Sequence, residues 1–345
     1  VGLSRLGLIA RADARGLAVQ TKNFHDNYPT ASTLVVTTPD RRWPDDPSRF
    51  PGAHITTWVG DRALLEPADA VSAFLDDVDT VFSVETLYCT RLADQAAARG
   101  IRTVIQGNPE FYRRSHRSSG YPTPDHWTWP TPWLLDHVPP GPVIPVPVSG
   151  RSSAVAGHPD DDTMIAVHVA GRRALGDRNG TELFVAALHQ LDARHVHIRL
   201  YSQDGHLPDL PALGRHITVE TFPDGVADRW TMYDGAHLLV APRRYGGLSL
   251  PVLEAMESGL AVAMTDCPPN GMWPIVPIRA GPGRTERMPV GPVATTVAAP
   301  RLIALTIAGL ARHRDTLTDA MTAARQWATA NTWDVLRPRY ERLLQ

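Results

Sequence analysis

The sequence predicts an α/β protein built as two successive Rossmann-like domains. Three observations point there. Short apolar runs alternate with helical segments over residues 6–107. A stretch rich in Pro, Trp and His breaks that pattern between residues 108 and 150, and the alternation then restarts. A length of 345 residues exceeds one ordinary core and suits two.

Taken in order, LGLIA (6–10) and STLVVTT (32–38) suit parallel strands buried on both faces. Between them Asp13 and Gly16 open a segment that continues helically to Tyr28. A strand, a Gly-containing loop and a helix together present backbone amides to a ligand, which makes Asp13, Gly16 and Leu17 candidates for an acceptor-side site. DTVFSVE (79–85) reads as a strand, 88–100 as a helix ended by Gly100, and 101–107 as a further strand, which is βαβ order. The strand end QGNPEFYRRSHRSSGYP (106–122) is expected to open onto a cleft, with Asn108 and Glu110 available to a ligand.

PPGPVIPVPVSG, followed by RSSAVAGHPDDD, reads as an interdomain linker. The second series has a strand at 163–171, a helix at 180–194 and strands in HIRLYSQ and HITVETF. RWTMYDGA follows as a short helix, HLLVAP (237–242) as a strand, LSLPVLEAMESG (248–259) as a helix and LAVAMTD as a strand. Long helices run from about Pro300 to the end. The expected domains are 1–149 and 150–332, with a terminal helix over 333–345 packing back on the first.

The bulk numbers exclude several classes. A net charge of -2 gives no general attraction for polyanions. Hydrophobic content of 43% with 20% charged residues describes a soluble globular chain, and no run is long enough to span a bilayer. With no charged-then-apolar leader, the expected location is the cytoplasm. Lys22 is the only lysine, so arginine stands where lysine is common elsewhere. Cys89 and Cys267 lie far apart, which excludes a disulfide framework and a Cys-based zinc site. The D-x-D strings at Asp77–Asp79 and Asp160–Asp162 read as solvated turns. His195 and His197 read as one face of a strand with no third metal ligand nearby.

The most informative stretch is APRRYGGLSLPVLEAMESGLAV (241–262). Arg243, Arg244, Tyr245, Gly246 and Gly247 form a loop, with a helix starting near Leu248 or Ser249. Free amides at a helix start, glycines that permit close approach and adjacent guanidinium groups favour a phosphate or diphosphate. Glu254, roughly two turns into the helix, is suited to accept hydrogen bonds from ribose hydroxyls. A Gly-rich turn capped by a serine, with Glu254 on a wet face, fits the motif alone equally well. The apolar neighbours Leu253, Ala255 and Met256 argue against a solvated glutamate.

MYDGAHLLVAPRRYGGLSLPVLEAMESGLAVAMTDCPPN (232–270) resembles the donor-binding core of retaining GT-B glycosyltransferases of the family 4 type. The family pattern there is a strand ending in Pro-Ser and then E-x-F-G-L-P-x-x-E-A-M-A-x-G-x-P-V. HVAGRRALGDRNGTELFVAAL (168–188) resembles the family segment whose Arg and Lys hold the donor diphosphate, and RLGLIARADARGLAVQT resembles its opening strand–loop–helix. The resemblance implies two Rossmann-like domains facing each other across a cleft. It implies transfer of a sugar from a nucleotide sugar, such as a UDP- or GDP-sugar, to a hydroxyl. Retained configuration, front-face attack, no protein nucleophile, no cofactor and no obligatory metal complete the expectation.

By the same resemblance Glu254 matches the second glutamate of E-x7-E, which holds the donor ribose. Gly247, Leu248 and Ser249 match the loop amides over the phosphates, and Gly171 with Arg172 matches the G-R motif. The family lysine falls on Asn179 or, after a one-residue shift, on Arg178, which is preferred because arginine replaces lysine in this chain. Arg172, Arg178 and Glu254 are therefore the expected catalytic set. The first motif glutamate falls on Gly246, so either Arg244 and Tyr245 reshape that contact or the sugar differs.

Arg113, Arg114, His116 and Arg117, flanked by Phe111, Tyr112 and Tyr121, form a basic and aromatic cluster. Such a cluster suits a phosphate backbone with stacked bases, although a solvated acceptor loop is the preferred reading over nucleic acid. The acceptor stays open among saccharide, protein, metabolite and modified DNA base. The alternatives are a hydroxymethyl-pyrimidine DNA glycosyltransferase, a nucleotide-sugar epimerase or phosphorylase, and a non-catalytic sugar-nucleotide binder.

Overall fold

The structure is a computed structural model that describes residues 5–38, 44–59, 64–112, 123–171, 176–210, 212–214 and 216–345. It divides into two compact units, Val1–Pro147 with Met288–Gly291 and Trp333–Gln345, and Val148–Arg287 with Pro292–Thr332.

The first unit carries β1 (Leu6–Arg11), α1 (Gly16–Asn27), β2 (Ser32–Thr37), β3 (His54–Val59), β4 (Leu64–Glu66), α2 (Ala68–Asp76), β5 (Thr80–Val84), α3 (Thr90–Ala98), β6 (Arg102–Gln106) and β7 (His126–Thr128). The seven strands run in the order β4-β3-β2-β1-β5-β6-β7, and only β4 is antiparallel to its neighbour. Every residue of β1 and β5 is buried, as helices on both faces of a parallel sheet require. Strand order reverses between β1 and β5, which opens a crevice beyond their carboxyl ends. α3 begins two residues after the predicted start because Tyr88 has φ +67°, outside helical geometry.

The Pro-rich end read as linker is largely a packed part of the first unit. Ile144 and Val146 are buried, and Gln106 donates to the Ile144 carbonyl at 3.0 Å. Apolar residues alternate with prolines there, so an extended backbone turns each of them inward.

In the second unit β8 (Met164–Gly171), α4 (Thr181–Leu188), β9 (Val196–Ser202), β10 (Ile217–Phe222), β11 (Leu238–Ala241), α5 (Leu250–Glu257), β12 (Ala261–Thr265) and β13 (Val276–Ile278) form a parallel sheet with helices. Its order is β10-β9-β8-β11-β12-β13, and the reversal falls between β8 and β11. β14 (Gly281–Met288) and β15 (Gly291–Val297) make a separate hairpin, followed by α6 (Pro300–Arg312) and α7 (Arg314–Ala330). Phe184, Leu188, Ile198, Leu238, Ala263, Ile303 and Leu317 belong to one buried core joining the sheet to α4, α6 and α7.

His195 and His197 do not share a strand face. His195 lies before β9 with φ +55°, while His197 sits in β9 with its Nδ1 at 2.7 Å from the Thr218 hydroxyl. The segment RWTMYDGA forms only a 3-10 turn, Arg229–Met232, with the Trp230 amide donating to the Asp228 side chain at 3.0 Å and the Thr231 amide to the Asp228 carbonyl at 3.2 Å.

The chain returns to the first unit through α8 (Trp333–Leu344). Trp333 and Tyr340 pack edge-on against Phe24, and the Trp333 indole donates to Asn23 Oδ1 at 3.0 Å. Among the described residues no helix is long and apolar enough to cross a membrane.

Candidate functional site

β8 and β11 are neighbours at the reversal of the second sheet, so the segments leaving them meet at the crevice that such sheets use for ligands. β8 ends at Gly171, with φ +68°. Asp177 ties off α4 by accepting from the Thr181 and Glu182 amides at 2.7 and 3.0 Å. Gly180 is required there: with φ +71°, any Cβ would lie 2.2 Å from the Pro242 carbonyl oxygen of the second loop. The Arg244 amide then donates to the Arg178 carbonyl at 2.9 Å, joining the two loops directly. Beneath them buried His168 bridges the Val240 carbonyl at 2.8 Å and the Thr181 hydroxyl at 3.0 Å.

The arginines of this corner then take different roles. A Cβ on Gly246 would meet Nη2 of Arg178 at 2.1 Å and Nη2 of Arg243 at 2.4 Å, so both guanidinium groups occupy the space a side chain would need. Gly246 also has φ +124°, which L side chains rarely adopt. Arg243 is buried and donates to the Leu248 carbonyl at 2.7 Å, and Arg178 Nε donates to the Tyr245 carbonyl at 3.3 Å. The Arg178 guanidinium lies 5.7 Å from the Tyr245 ring centre, where its charge meets the ring quadrupole. Arg244 turns instead to Glu286 of β14 at 3.3 Å, and its carbonyl accepts from the Thr296 amide at 2.9 Å. The guanidinium groups that meet over Gly246 are therefore Arg178 and Arg243, not Arg244. Asn179, the other candidate for the family lysine, donates to the Val169 and Ala170 carbonyls, both at 3.1 Å.

α5 begins at Leu250, later than predicted, with Pro251 in its first turn and no side-chain bond from Ser249. Glu254 consequently lies about one turn into the helix, near 6 Å along its axis. It is buried among Val252, Leu253, Ala255 and Met256. The Tyr233 hydroxyl donates to its Oε2 at 2.8 Å, and Arg229 approaches Oε1 at 3.0 Å without hydrogen-bond alignment. Burial raises the Glu254 carboxyl above its ordinary value, and Arg229 and Tyr233 only partly oppose the rise. Burial likewise lifts the Tyr233 phenol well above the usual tyrosine range, with the Glu254 charge adding to the effect. Tyr233 and Arg229 were not singled out in the sequence. They stand 21 and 25 positions before Glu254 in a segment that betrays itself only as a short turn.

In the first unit Asp13 follows β1, its buried carboxylate taken by Arg11 and by Arg15 Nε at 2.9 Å. Burial alone would raise this carboxyl, yet the Arg15 hydrogen bonds and the Arg11 and Arg15 charges together hold it below the ordinary range. Gly16 is the first residue of α1, with Leu17 half-buried beside it. Asn108 Nδ2 donates to Glu85, which follows β5 with φ +67°, and the buried Glu110 accepts at its carbonyl from the Val290 amide at 3.4 Å. Arg113, Arg114, His116, Arg117, Tyr121 and Arg172 lie outside the described residues. Among the described residues no group of three or more His, Cys, Asp or Glu could hold a metal ion.

Residues 166–276, from β8 to β13 and including this corner, match the family model of glycosyl transferases group 1. HepE of Anabaena, solved with UDP and glucose, matches 99% of this chain and 99% of its own at a TM-score of 0.65 and 11% identity. Residues 166–276 therefore carry a glycosyl transferases group 1 domain, and the chain has the GT-B fold. Sucrose-phosphate synthase of Thermosynechococcus elongatus is also similar, with TM-score 0.62, 13% identity and 98% and 97% of the two chains covered. MurG of Acinetobacter baumannii gives TM-score 0.53 and 15% identity over 99% of both chains. These identities make the likeness one of fold. No curated protein matches the chain in sequence. The family match covers the second unit's sheet and leaves the first unit to be read from its own residues.

Proposed function

We propose that this protein is a glycosyltransferase that moves a sugar from a nucleotide-sugar donor to an acceptor hydroxyl with retained anomeric configuration and no required metal. The observation that carries the reading is the meeting of Arg178 and Arg243 on Gly246, beside the first turn of α5, with Glu254 one turn deeper. Guanidinium groups and helix-start amides together suit a diphosphate, and the Glu254 carboxylate suits ribose hydroxyls. The UDP in the HepE structures makes a UDP-sugar the first donor to test.

In the transfer, the bond between the anomeric carbon and the diphosphate oxygen breaks, and its electron pair leaves with that oxygen. The acceptor oxygen bonds to the same face of the carbon, and its proton passes to the departing diphosphate. Negative charge on the leaving oxygen grows toward the transition state, so fixed cations stabilise that state more than the bound donor. Arg178 fills this role together with Arg172. Gly16, Leu17, Asn108 and Glu110 are assigned to the acceptor side, with Asp13 holding the start of α1 in place through Arg11 and Arg15.

A thermal-shift screen of UDP-, GDP-, ADP- and dTDP-sugars identifies the donor, because a ligand of the folded state raises its melting temperature. Transfer is then assayed with saccharide, peptide, metabolite and hydroxymethylated DNA acceptors, with the product anomer read by NMR. Unchanged turnover in EDTA is expected. An inverted anomer overturns retention, epimerisation without acceptor identifies an epimerase, and donor binding without any turnover identifies a binder.

A further inference from the structure

We infer that Arg229 is a positioning residue for the donor, the counter-ion that keeps Glu254 an anion able to accept both ribose hydroxyls. This rests on the donor reading above and adds a residue to it. Glu254 sits where its charge is disfavoured. It is buried in α5 among apolar neighbours, and Glu257, three positions on, adds a second negative charge. Glu257 is itself committed, accepting from the Ser149, Arg151 and Ser152 amides at 2.9, 2.8 and 3.0 Å. A carboxyl that took up a proton would lose its charge and spend one oxygen on an O–H, so two neighbouring hydroxyls could no longer both donate to an anion.

Two groups oppose that protonation. The Tyr233 hydroxyl donates to Oε2 at 2.8 Å, and the Arg229 guanidinium stands 3.0 Å from Oε1. Burial pushes the carboxyl up, and the Arg229 charge is the larger of the two influences that pull it back. The way Arg229 is held suits this role. Its guanidinium lies 4.6 Å from the centre of the buried Trp230 ring, and the Trp230 amide is tied to Asp228 at 3.0 Å. An aromatic face holds a cation without neutralising it. Toward Oε1 the approach is out of line for a hydrogen bond, so among the described residues Oε1 accepts none. Arg229 thus compensates the charge while leaving that oxygen's lone pairs to a ligand, and 11% of the Glu254 side chain is open to solvent. An aligned two-bond fork between the same groups would occupy the oxygen instead.

The test measures binding of UDP, GDP, ADP and dTDP by calorimetry between about pH 7 and 8.5, where their phosphates stay almost fully ionised. The nucleotide that binds wild type should do so with affinity changing less than about twofold across this range and almost no proton released. Arg229→Met should bind it about tenfold more weakly near pH 7, release close to one proton on binding, and recover at least about threefold by pH 8.5. Arg229→Lys should restore most of the affinity, and Glu254→Gln added to Arg229→Met should abolish both the pH dependence and the proton release. In ligand-free protein, NMR of the Glu254 carboxyl should show it titrating at higher pH in Arg229→Met than in wild type, which decides the matter for a variant that binds nothing. Arg229→Gln, which also removes the charge, takes the place of Arg229→Met should the latter not fold. A loss of affinity that is equal at every pH with no proton release, or no loss at all, overturns the inference and leaves the donor site standing. So does proton release that survives Glu254→Gln. Failure of wild type to bind any of the four nucleotides overturns the donor site and this inference together.

Discussion

Two corners of the molecule use similar ingredients to opposite ends. Beyond β1, Arg11 and Arg15 surround the buried carboxylate of Asp13. Beyond β11, Arg178 and Arg243 surround the α-carbon of Gly246. Each corner lies at the strand reversal of its own sheet. A carboxylate at the centre makes the first a closed ion cluster that organises the start of α1. A glycine at the centre of the second lets two guanidinium groups approach one another at the sheet end where ligands of such sheets bind. The residue at the middle, more than the number of arginines, separates the two clusters.

The sharpest way to break this contrast is Asp13→Ala. Removing the carboxylate leaves Arg11 buried without its partner, and a loss of about 3–5 kcal/mol in unfolding free energy is expected from urea titration. A loss under about 1 kcal/mol would mean that the first corner is not a closed cluster. Arg178→Ala should act on rate instead, lowering kcat roughly 100-fold with little change in melting temperature, because the charge it meets peaks in the transition state. Steady-state kinetics that moved only KM would contradict that role. Tyr233→Phe deletes one hydrogen bond to a charged group and should weaken donor binding by about 1.5–3 kcal/mol, read by calorimetry.

Acidification sharpens the comparison further, because the two buried carboxyls respond with opposite sign. Asp13 has a depressed folded value, so its contribution is present above the usual carboxylate range and is lost as pH falls through that depressed value. Glu254 has a raised folded value, so the fold binds its proton more readily than the unfolded chain. Its contribution is least favourable near neutrality and improves as pH falls toward the ordinary carboxylate range. The stability gap between wild type and Asp13→Asn should therefore shrink at low pH. Glu254→Gln should gain relative to wild type at neutral pH and lose that advantage in acid. Urea midpoints at several pH values test both signs. The smallest effect is expected from Glu286→Ala, which removes the part-exposed partner of Arg244 and should cost under about 1 kcal/mol by thermal melting, with activity nearly unchanged.

Much of this molecule is legible in its sequence. The runs at 6–10, 32–38, 163–171 and 260–266 became buried parallel strands because continuous apolar segments bounded by turn residues have few other uses. The Gly-rich loop before α5 and the apolar setting of Glu254 are local features, and one glance along the chain finds them. Less visible were β3, β4 and α2, whose polar and short segments carry weak periodicity, and the β14–β15 hairpin. The side-chain partnerships were not legible at all. Arg178 and Arg243 are 65 positions apart, and nothing local says that Arg243 rather than Arg244 turns toward Gly246.

By itself the sequence determined the alternation of strands and helices, the two-domain plan and the chemical types gathered around residue 246. These depend on periodicity and on the backbone demands of glycine and proline, which act over a few neighbours. Only the tertiary structure decided which guanidinium meets which carboxylate, that Tyr233 and Arg229 hold Glu254, and that Arg244 is taken by Glu286. Such pairings are set by strand order and register, which bring distant loops to one sheet end. Charge acts through space and is indifferent to position along the chain.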